Sequence, residues 1–348
     1  MKILIDGRSI TPEASGIGRY TYELIKGYVK EYGESSVRII LNYEIKDFPY
    51  SFILCPFHRH SLIDNVRFSF FLKKIDYDIY HSGDLIGPFF HKRNVIHIIT
   101  VHDLMLLKVK NFYQLPFWHN FIRKIKFKNF WKFILNDVDI IICVSKTTQR
   151  DLREIYNLNS IVIREGINKL EQKLQTTNLK IRFKKNSYFL YVGLAMPHKN
   201  VHFLIDTFLK SKTDKILVIC GKGHKPVSSN KIIYTGWVDD ATLDYLYKNC
   251  AAFIFPSLYE GFGLPILEAL SYHCRVFSSN AASLGEFSDK VLSFFSPTDE
   301  KRLRYLIENC EQIPVNIALI DKYLQGFDWN KIWKDFHQYL KAYIYERN

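Results

Sequence analysis

The sequence predicts an α/β protein with two domains, each built on a doubly wound parallel sheet. Short apolar runs alternate with amphipathic stretches along the chain, which is the pattern of strands and helices in such sheets. At 348 residues the chain is longer than one hydrophobic core usually serves. A polar stretch rich in lysine and glutamine between Gly166 and Asn186 shows neither pattern, so we predict an interdomain linker there.

Apolar runs on both sides of this linker are predicted as strands. Those before it are Lys2–Asp6, Val37–Leu41, Asp78–His81, Val95–Val101, Asp139–Val144 and Ile161–Ile163. Those after it are Tyr188–Val192, Lys215–Cys220, Lys231–Tyr234, Ala251–Phe255 and Arg275–Ser278. The chain ends in a predicted amphipathic helix, because apolar residues recur there at steps of three and four. They are Trp329, Ile332, Trp333, Phe336, Leu340, Tyr343 and Ile344.

Composition is that of a folded globular protein, with 47% hydrophobic and 24% charged residues. The net charge of +13 indicates a polyanionic partner, namely nucleic acid, anionic lipid or a phosphate-bearing substrate. Scattered cysteines without CxxC spacing indicate buried thiols in a reducing compartment. No targeting segment or bilayer-spanning apolar run is visible, so we expect a cytoplasmic protein that is free or bound to a membrane surface.

Residues 256–270 carry the strongest functional signal. Glu260 and Glu268 stand eight positions apart between a predicted strand and helix, with Gly261 and Gly263 between them and Pro265 suited to the first helical turn. Glycines let the backbone approach a ligand, and the N-terminus of a helix attracts anions. Carboxylates accept hydrogen bonds from hydroxyl groups. The pattern therefore indicates a ligand that carries both a phosphate and sugar hydroxyls.

Three other strand ends carry candidate residues. Gly16 and Gly18 open a helix whose free N–H groups suit a phosphate, although a tight turn explains them equally well. Lys199 begins a helix, where a lysine is unfavourable unless an anion lies close, so a diphosphate contact is favoured over a solvated charge. His102 and Asp103 end a buried strand, where α/β sheets line ligand crevices; a structural histidine is the alternative.

In chain order these motifs resemble those of the retaining glycosyltransferases of family 4, which have the GT-B fold of two Rossmann-like domains around an interdomain cleft. The sequence Glu-Gly-Phe-Gly-Leu-Pro-x-x-Glu resembles the E-x7-E signature, and His-Asp-Leu at 102–104 and Pro-His-Lys-Asn at 197–200 resemble two further family motifs. Phe-Asp-Trp at 327–329 resembles the segment before a terminal helix that crosses back to the first domain. The implied domains are an acceptor-side domain at 1–168, a nucleotide-sugar domain at 169–326 and the crossing helix at 327–348.

The resemblance also implies residue roles. His102 would contact the donor sugar or an acceptor hydroxyl, with Asp103 orienting it, and Lys199 would neutralise the departing diphosphate. Glu260 would hold the transferred sugar, and Glu268 would accept hydrogen bonds from the donor ribose. The other expected donor-binding residues are Gly16, Gly18, His198, Gly261, Phe262, Gly263 and Leu264. None of these motifs contains an Asp-x-Asp pair or a histidine cluster, so we expect transfer without a metal ion or cofactor.

Three positions depart from the family pattern. Leu194 and His198 stand where many members have arginines, so Lys199 should matter more and His198 should make diphosphate binding depend on pH. Arg164-Glu165-Gly166-Ile167-Asn168 stands where relatives usually have Asn-Gly-Val-Asp, and we expect Gly166 to serve a turn there.

The expected reaction is transfer of a hexose from a nucleotide sugar to a glycan or a polyprenyl-diphosphate-linked acceptor, as in polysaccharide or O-antigen synthesis. The motifs favour GDP-mannose as donor, and UDP-hexoses remain open. One alternative is a GT-B sugar-nucleotide epimerase or hydrolase. Another is a basic membrane-binding or nucleic-acid-binding module with a decayed transferase site.

The segment Phe117–Leu135 bears on the last alternative, because aromatic residues alternate there with cations. Residues 104–136 contain seven basic residues and no acidic one. This composition suits a helix on the inner face of the plasma membrane, whose aromatic side chains enter the headgroup layer of an anionic membrane surface. It equally suits a helix packed on its own domain with a basic outer face. No nucleic acid is expected, since no RNA-module signature accompanies the segment.

Overall fold

The chain folds into two units, each around a parallel sheet. The computed structural model describes residues 1–11, 16–110, 112, 116–167 and 183–347. The first unit comprises Met1–Gly166 and Trp329–Asn348, and the second comprises Ile167–Asp328. Most of the predicted linker, residues 168–182, lies outside the described residues.

The sheet of the first unit has seven strands in the order β3-β2-β1-β4-β5-β6-β7. They are β1 (Ile3–Asp6), β2 (Val37–Leu41), β3 (Phe52–Leu54), β4 (Ile79–Ser82), β5 (Ile96–Val101), β6 (Ile140–Cys143) and β7 (Ile161–Val162). Its helices before residue 166 are α1 (Gly16–Tyr32), α2 (Leu62–Lys73), α3 (Met105–Lys108), α4 (Phe117–Leu135) and α5 (Lys146–Tyr156). The strand order reverses between β1 and β4, and in such sheets ligands bind beyond the carboxyl ends of the strands at this switch point.

The sheet of the second unit has six strands in the order β10-β9-β8-β11-β12-β13. They are β8 (Tyr188–Val192), β9 (Ile216–Cys220), β10 (Ile232–Gly236), β11 (Ala252–Phe255), β12 (Val276–Ser279) and β13 (Ser293–Phe295). The helices are α6 (Val201–Lys210), α7 (Asp240–Asn249), α8 (Leu264–Ser271), α9 (Glu300–Glu308) and α10 (Ile317–Leu324). Here the order reverses between β8 and β11, so the loops after these two strands meet at the switch point.

The last helix, α11 (Trp329–Arg347), packs within the first unit. Five of its predicted apolar residues, from Trp329 to Leu340, join the core formed by β1, β2 and α1. The packing against α1 is close, because a Cβ atom on Gly27 would lie 2.7 Å from the ring of Trp333. Gly166 is packed in the same way against Trp329, at 2.6 Å, so a side chain there would displace the start of this helix.

All eleven predicted strands are present, and the two-sheet α/β prediction is confirmed. Two strands, β3 and β13, were not predicted; each has three residues and lies at a sheet edge. Both are too short to stand out as strands from their sequence, and most of their residues are only partly buried or exposed.

Candidate functional site

The loop between β11 and α8 holds the two predicted glutamates of the second unit. Glu260 is buried in this loop, and Glu268 lies on the second turn of α8. Gly263 precedes the helix with φ of 121°, a conformation that L side chains rarely adopt, and a Cβ atom there would lie 2.8 Å from Leu284. Pro265 occupies the first turn of α8, as predicted. The glycine is therefore required for the chain to enter this helix.

Side chains from elsewhere in the unit hold this loop in place. The hydroxyl of Ser283 donates to the carbonyl oxygens of Glu260 and Phe262, at 2.8 and 3.0 Å. The hydroxyl of Tyr247 donates to Oε2 of Glu268 at 3.2 Å. The pKa of Tyr247 is raised, mainly by burial and secondly by the negative charge of Glu268. Glu268 therefore accepts a hydrogen bond from a protonated tyrosine while it remains partly exposed.

Lys199 and Glu260 form an ion pair across the switch point of the second sheet. Lys199 ends a 3₁₀ turn that follows β8, and its Nζ lies 2.7 and 3.0 Å from the two carboxylate oxygens of Glu260. The side chains are only 17% and 10% exposed. The ammonium group also lies 5.4 Å from the ring centre of Phe255. A cation and an anion are therefore fixed together beside the N-terminus of α8.

His198 does not supply a second positive charge near neutral pH. Its side chain is buried, and burial together with the charge of Lys199 lowers the pKa of His198 to about 4. Its carbonyl oxygen accepts a hydrogen bond of 2.6 Å from the N–H of Leu258, which links the loops after β8 and β11. The pH dependence expected from His198 therefore falls near pH 4 in the ligand-free protein.

In the first unit, α1 begins at Gly16, as the glycine motif predicted, and Gly18 is buried in its first turn. Residues 12–15, which precede the helix, lie outside the described residues. Thr21 connects the helix to the loop after β4, since a Cβ atom on Gly83 would lie 2.5 Å from the Thr21 hydroxyl. The glycine motif therefore lies at the switch point of the first sheet, beside Gly83.

His102 is buried at the end of β5, and both of its ring nitrogens have partners in the protein. Nδ1 lies 2.7 Å from Oε1 of Glu165, and Nε2 lies 2.8 Å from the carbonyl oxygen of Gly83. Burial disfavours the charged ring, but the hydrogen bond and charge of Glu165 outweigh it and raise the pKa of His102 to about 9. The expected partner, Asp103, instead accepts a hydrogen bond from the N–H of Met105 at 2.8 Å.

Glu165 is the functional candidate that sequence reasoning missed. Its side chain is 7% exposed and is committed to His102. A sequence signal for Glu165 did exist, because relatives of the family usually have an asparagine at this position. A carboxylate in place of an amide, directly after a strand, is costly to bury without a cation.

The chain does contain two Asp-x-Asp triplets outside these motifs, and both are engaged elsewhere. Asp76 forms an ion pair with Lys2, and Asp78 accepts a hydrogen bond from the N–H of Lys2 at 2.7 Å. Asp139 of the second triplet pairs with Arg347 at 2.6 Å. Among the described residues, no group of three or more His, Cys, Asp or Glu side chains is placed to hold a metal ion. Metal independence stays a prediction.

The helix α4 presents apolar residues on two faces. Phe130, Trp131, Ile134 and Leu135 are buried in the first unit. Phe117, Trp118 and Ile122 are 73%, 69% and 63% exposed, and Phe121 and Ile125 extend the exposed group. Within the described ranges, no helix combines the length and the apolar character needed to cross a membrane. One side of α4 thus packs on its own unit, as one of the two alternatives predicted, but its outer side carries exposed apolar residues as well as basic ones.

These two parallel-sheet units, with an acidic loop and a lysine at the switch point of the second, define the fold as that of the GT-B glycosyltransferases. Two family models match the chain, Glycosyltransferase Family 4 at residues 14–169 and Glycosyl transferases group 1 at residues 176–289. The chain belongs to this family of glycosyltransferases, which confirms the resemblance drawn from its motifs.

Two relatives are O-antigen proteins. The chain is 27% identical to O-antigen chain mannosyltransferase RfbU of Salmonella typhimurium over 247 residues, which cover 67% of this chain and 66% of that protein. It is 26% identical to O-antigen chain mannosyltransferase B of Escherichia coli over 346 residues, covering 82% and 84%. Among solved structures, Anabaena HepE in complex with UDP-glucose matches with a TM-score of 0.69 and 16% identity, covering 98% of this chain and 100% of that one.

Proposed function

We propose that the protein is a retaining glycosyltransferase that moves a hexose, preferably mannose, from a nucleoside-diphosphate sugar to a glycan or a polyprenyl-diphosphate-linked acceptor. Mannose is favoured by the names of the two O-antigen relatives. A nucleotide sugar is supported by the UDP-glucose bound in the HepE structure. The observation that carries the proposal is the ion pair of Lys199 and Glu260 at the switch point, beside the N-terminus of α8.

The proposed reaction breaks the bond between the sugar's anomeric carbon and the diphosphate, and forms one to an acceptor hydroxyl. The nucleoside diphosphate leaves with the bonding electrons, and the acceptor proton passes to its departing oxygen. Lys199 and the N–H groups around Gly263 and Leu264 would stabilise this developing negative charge, an effect in which one lost donor costs roughly 10²–10³ in rate. No cofactor or metal ion takes part in the proposed step.

Glu260 and Glu268 would hold the donor by hydroxyl groups. Glu260 is fixed by Lys199, so its carboxylate would accept hydrogen bonds from the transferred sugar without moving. Glu268 is partly exposed and accepts a hydrogen bond from Tyr247 at Oε2. A carboxylate has about four acceptor positions, so Glu268 would also accept hydrogen bonds from the ribose hydroxyls. Gly261 and Phe262 would contribute backbone groups to the same donor site, and His198 would close it from the neighbouring loop.

A donor screen tests the proposal. GDP-mannose and UDP-hexoses are incubated with the full chain, with and without an undecaprenyl-linked acceptor, and both transfer and nucleotide release are measured. We expect transfer that needs the acceptor, persists in EDTA and retains the configuration of the anomeric carbon. Epimerised or hydrolysed sugar without acceptor would establish the alternative reaction, and no turnover of any donor would contradict an enzymatic function.

We also propose that α4 binds an anionic membrane surface, where the lipid-linked acceptor would be found. Five apolar side chains in the first half of this helix are exposed, and the helix contains five basic and no acidic residues. Lys124 does not belong to this surface, because its ammonium donates to the carbonyl of Leu107 at 2.8 Å and burial lowers the pKa of Lys124. Lys126 and Lys128 are exposed.

Liposome flotation tests this second proposal. Replacing Lys126 and Lys128 with alanine should weaken binding to anionic vesicles about 30-fold, since each lysine contributes about 1 kcal/mol near such a surface. Replacing Lys331 and Lys334, two exposed lysines of α11 in the same unit, is the matched control and should leave binding unchanged. Equal binding by both double variants would contradict the assignment to α4.

A further inference from the structure

We propose that Glu165 is a positioning residue, which holds the doubly protonated ring of His102 on the carbonyl of Gly83 and so fixes the strand ends beside the start of α1. The protonation state of His102 does not depend on which substrate the protein acts on. The kinetic consequence rests on the proposed function, because it concerns transfer from a nucleotide sugar.

The two hydrogen bonds of His102 define its protonation. A carbonyl oxygen can only accept, so Nε2, at 2.8 Å from Gly83, carries a proton. An ionised carboxylate also only accepts, so Nδ1, at 2.7 Å from Glu165, carries one as well. No ring nitrogen is left to take up a proton, and none is left to bond a substrate hydroxyl unless one of these contacts breaks. His102 is thus arranged as a support rather than as a base.

The pair connects the ends of three strands to α1. Glu165 follows β7, His102 follows β5 and Gly83 follows β4. The hydroxyl of Thr21 on α1 packs on Gly83 and donates to the carbonyl of Ile17 at 2.9 Å. The glycines of the predicted diphosphate loop, at 16 and 18, flank this carbonyl in the chain. The orientation of His102 is thereby transmitted to the backbone where a diphosphate would bind.

Other contacts fix the ring from the remaining sides. The ring of Tyr20 meets His102 edge-on, with centres 4.7 Å apart, and the hydroxyl of Thr148 donates to the His102 carbonyl at 3.0 Å. The ionisable groups facing the imidazole are Glu165, Asp84 and Tyr20. Asp84 is itself paired with Arg59 at 3.4 Å, so Glu165 is the carboxylate directly bonded to the ring. Removing the charge of Glu165, while keeping a side chain of the same length, should therefore change the protonation of His102 without leaving a cavity beside the ring.

Glu165→Gln makes that change with the same side-chain length. The amide can donate to Nδ1, so the ring remains held but neutral, with its proton on Nε2. The measurement is an NMR pH titration of the full chain labelled on its 12 histidines, with the His102 signals identified by their loss in His102→Gln. Glu34→Gln, an exposed glutamate of the same unit, is the control. Thermal unfolding of each variant verifies that it is folded.

We expect His102 to stay doubly protonated to pH 8 in the wild type and in Glu34→Gln, and to titrate below pH 7 in Glu165→Gln. A wild-type midpoint at or below the ordinary histidine value of about 6.5 would overturn the inference. We also expect kcat/KM for the donor to fall about tenfold in Glu165→Gln, the equivalent of one charge-assisted hydrogen bond. A shifted titration with unchanged kcat/KM would show that the pair has no positioning role in transfer. The titration needs no substrate, so it stands even if the donor screen finds no activity.

Discussion

Replacing Lys199 with alanine should damage both stability and transfer, and the two effects can be separated. The substitution leaves the carboxylate of Glu260, which is only 10% exposed, without its cation. Breaking a buried ion pair from one side typically costs about 3–5 kcal/mol. Lys199 is 17% exposed, so water can reach the vacated space and the cost should lie at the low end of this range. We therefore expect the free energy of unfolding to decrease by about 3 kcal/mol. Transfer should slow roughly 10²–10³-fold.

A double variant separates these causes. In Lys199→Ala/Glu260→Gln the buried charge is gone, so much of the lost stability should return, as expected for residues in direct contact. Transfer should stay low, because the cation for the diphosphate is still missing. Urea unfolding gives the stabilities and the donor assay gives the rates.

The matched control is Lys210→Ala, which breaks a surface ion pair with Glu300 of similar length, 2.8 Å, in the same unit. Such exposed pairs contribute about 0–1 kcal/mol, so this variant should remain close to the wild type in both assays. Similar behaviour of Lys199→Ala and Lys210→Ala would contradict a structural and catalytic role of the ion pair. So would a double variant whose loss of stability equals the sum of the losses in Lys199→Ala and Glu260→Gln.

Glu268, Gly221 and His81 can each be tested separately. Glu268→Ala should weaken nucleotide binding by about 1.5–3 kcal/mol in calorimetry, the value of hydrogen bonds to a charged group. Glu300→Ala, which removes a partly exposed glutamate of the same unit, should not. Gly221→Ala should unfold more readily in urea, by more than about 1 kcal/mol, since its φ is 138° and a Cβ atom would lie 1.9 Å from the Gly193 carbonyl oxygen; wild-type stability would contradict this packing. Burial lowers the pKa of His81 to about 3 and that of His198 to about 4, both below the ordinary 6.5, so the unfolded chain takes up each of these protons first. Each of these histidines should lower the free energy of unfolding by about 1.4 kcal/mol per unit as pH drops below 6.5. A flat urea midpoint between pH 6.5 and 5 would count against a neutral buried histidine.

The sequence was sufficient to predict the local structure of the candidate site in the second unit, because the signals for that structure are local. Gly263 and Pro265 determine how the chain enters α8, and the apolar run before Glu260 places it at the end of a central strand. Lys199 was identified in the same way, from its place after the strand β8, but the prediction that it begins a helix was wrong, because it ends a 3₁₀ turn and α6 begins at Val201. Each inference needed only a few neighbouring residues.

The partners of these residues could not be predicted, because they come from distant parts of the chain. Glu165 lies 63 positions from His102, and nothing near His102 indicates that the carboxylate after β7, rather than Asp103, turns toward it. The ion pair of Lys199 and Glu260 likewise joins residues 61 positions apart. His198 shows the same limit, since its low pKa depends on tertiary burial that a local motif does not reveal.

Binding of a nucleoside-diphosphate sugar by the loops after β8 and β11, with Lys199 as the cation, is tested by calorimetric titration. GDP-mannose and UDP-hexoses are titrated into the wild type, Lys199→Ala and Lys210→Ala. We predict measurable binding of at least one donor by the wild type and Lys210→Ala, and a large loss in Lys199→Ala. Equal affinity in all three proteins, or no affinity in the wild type for any donor, would contradict it.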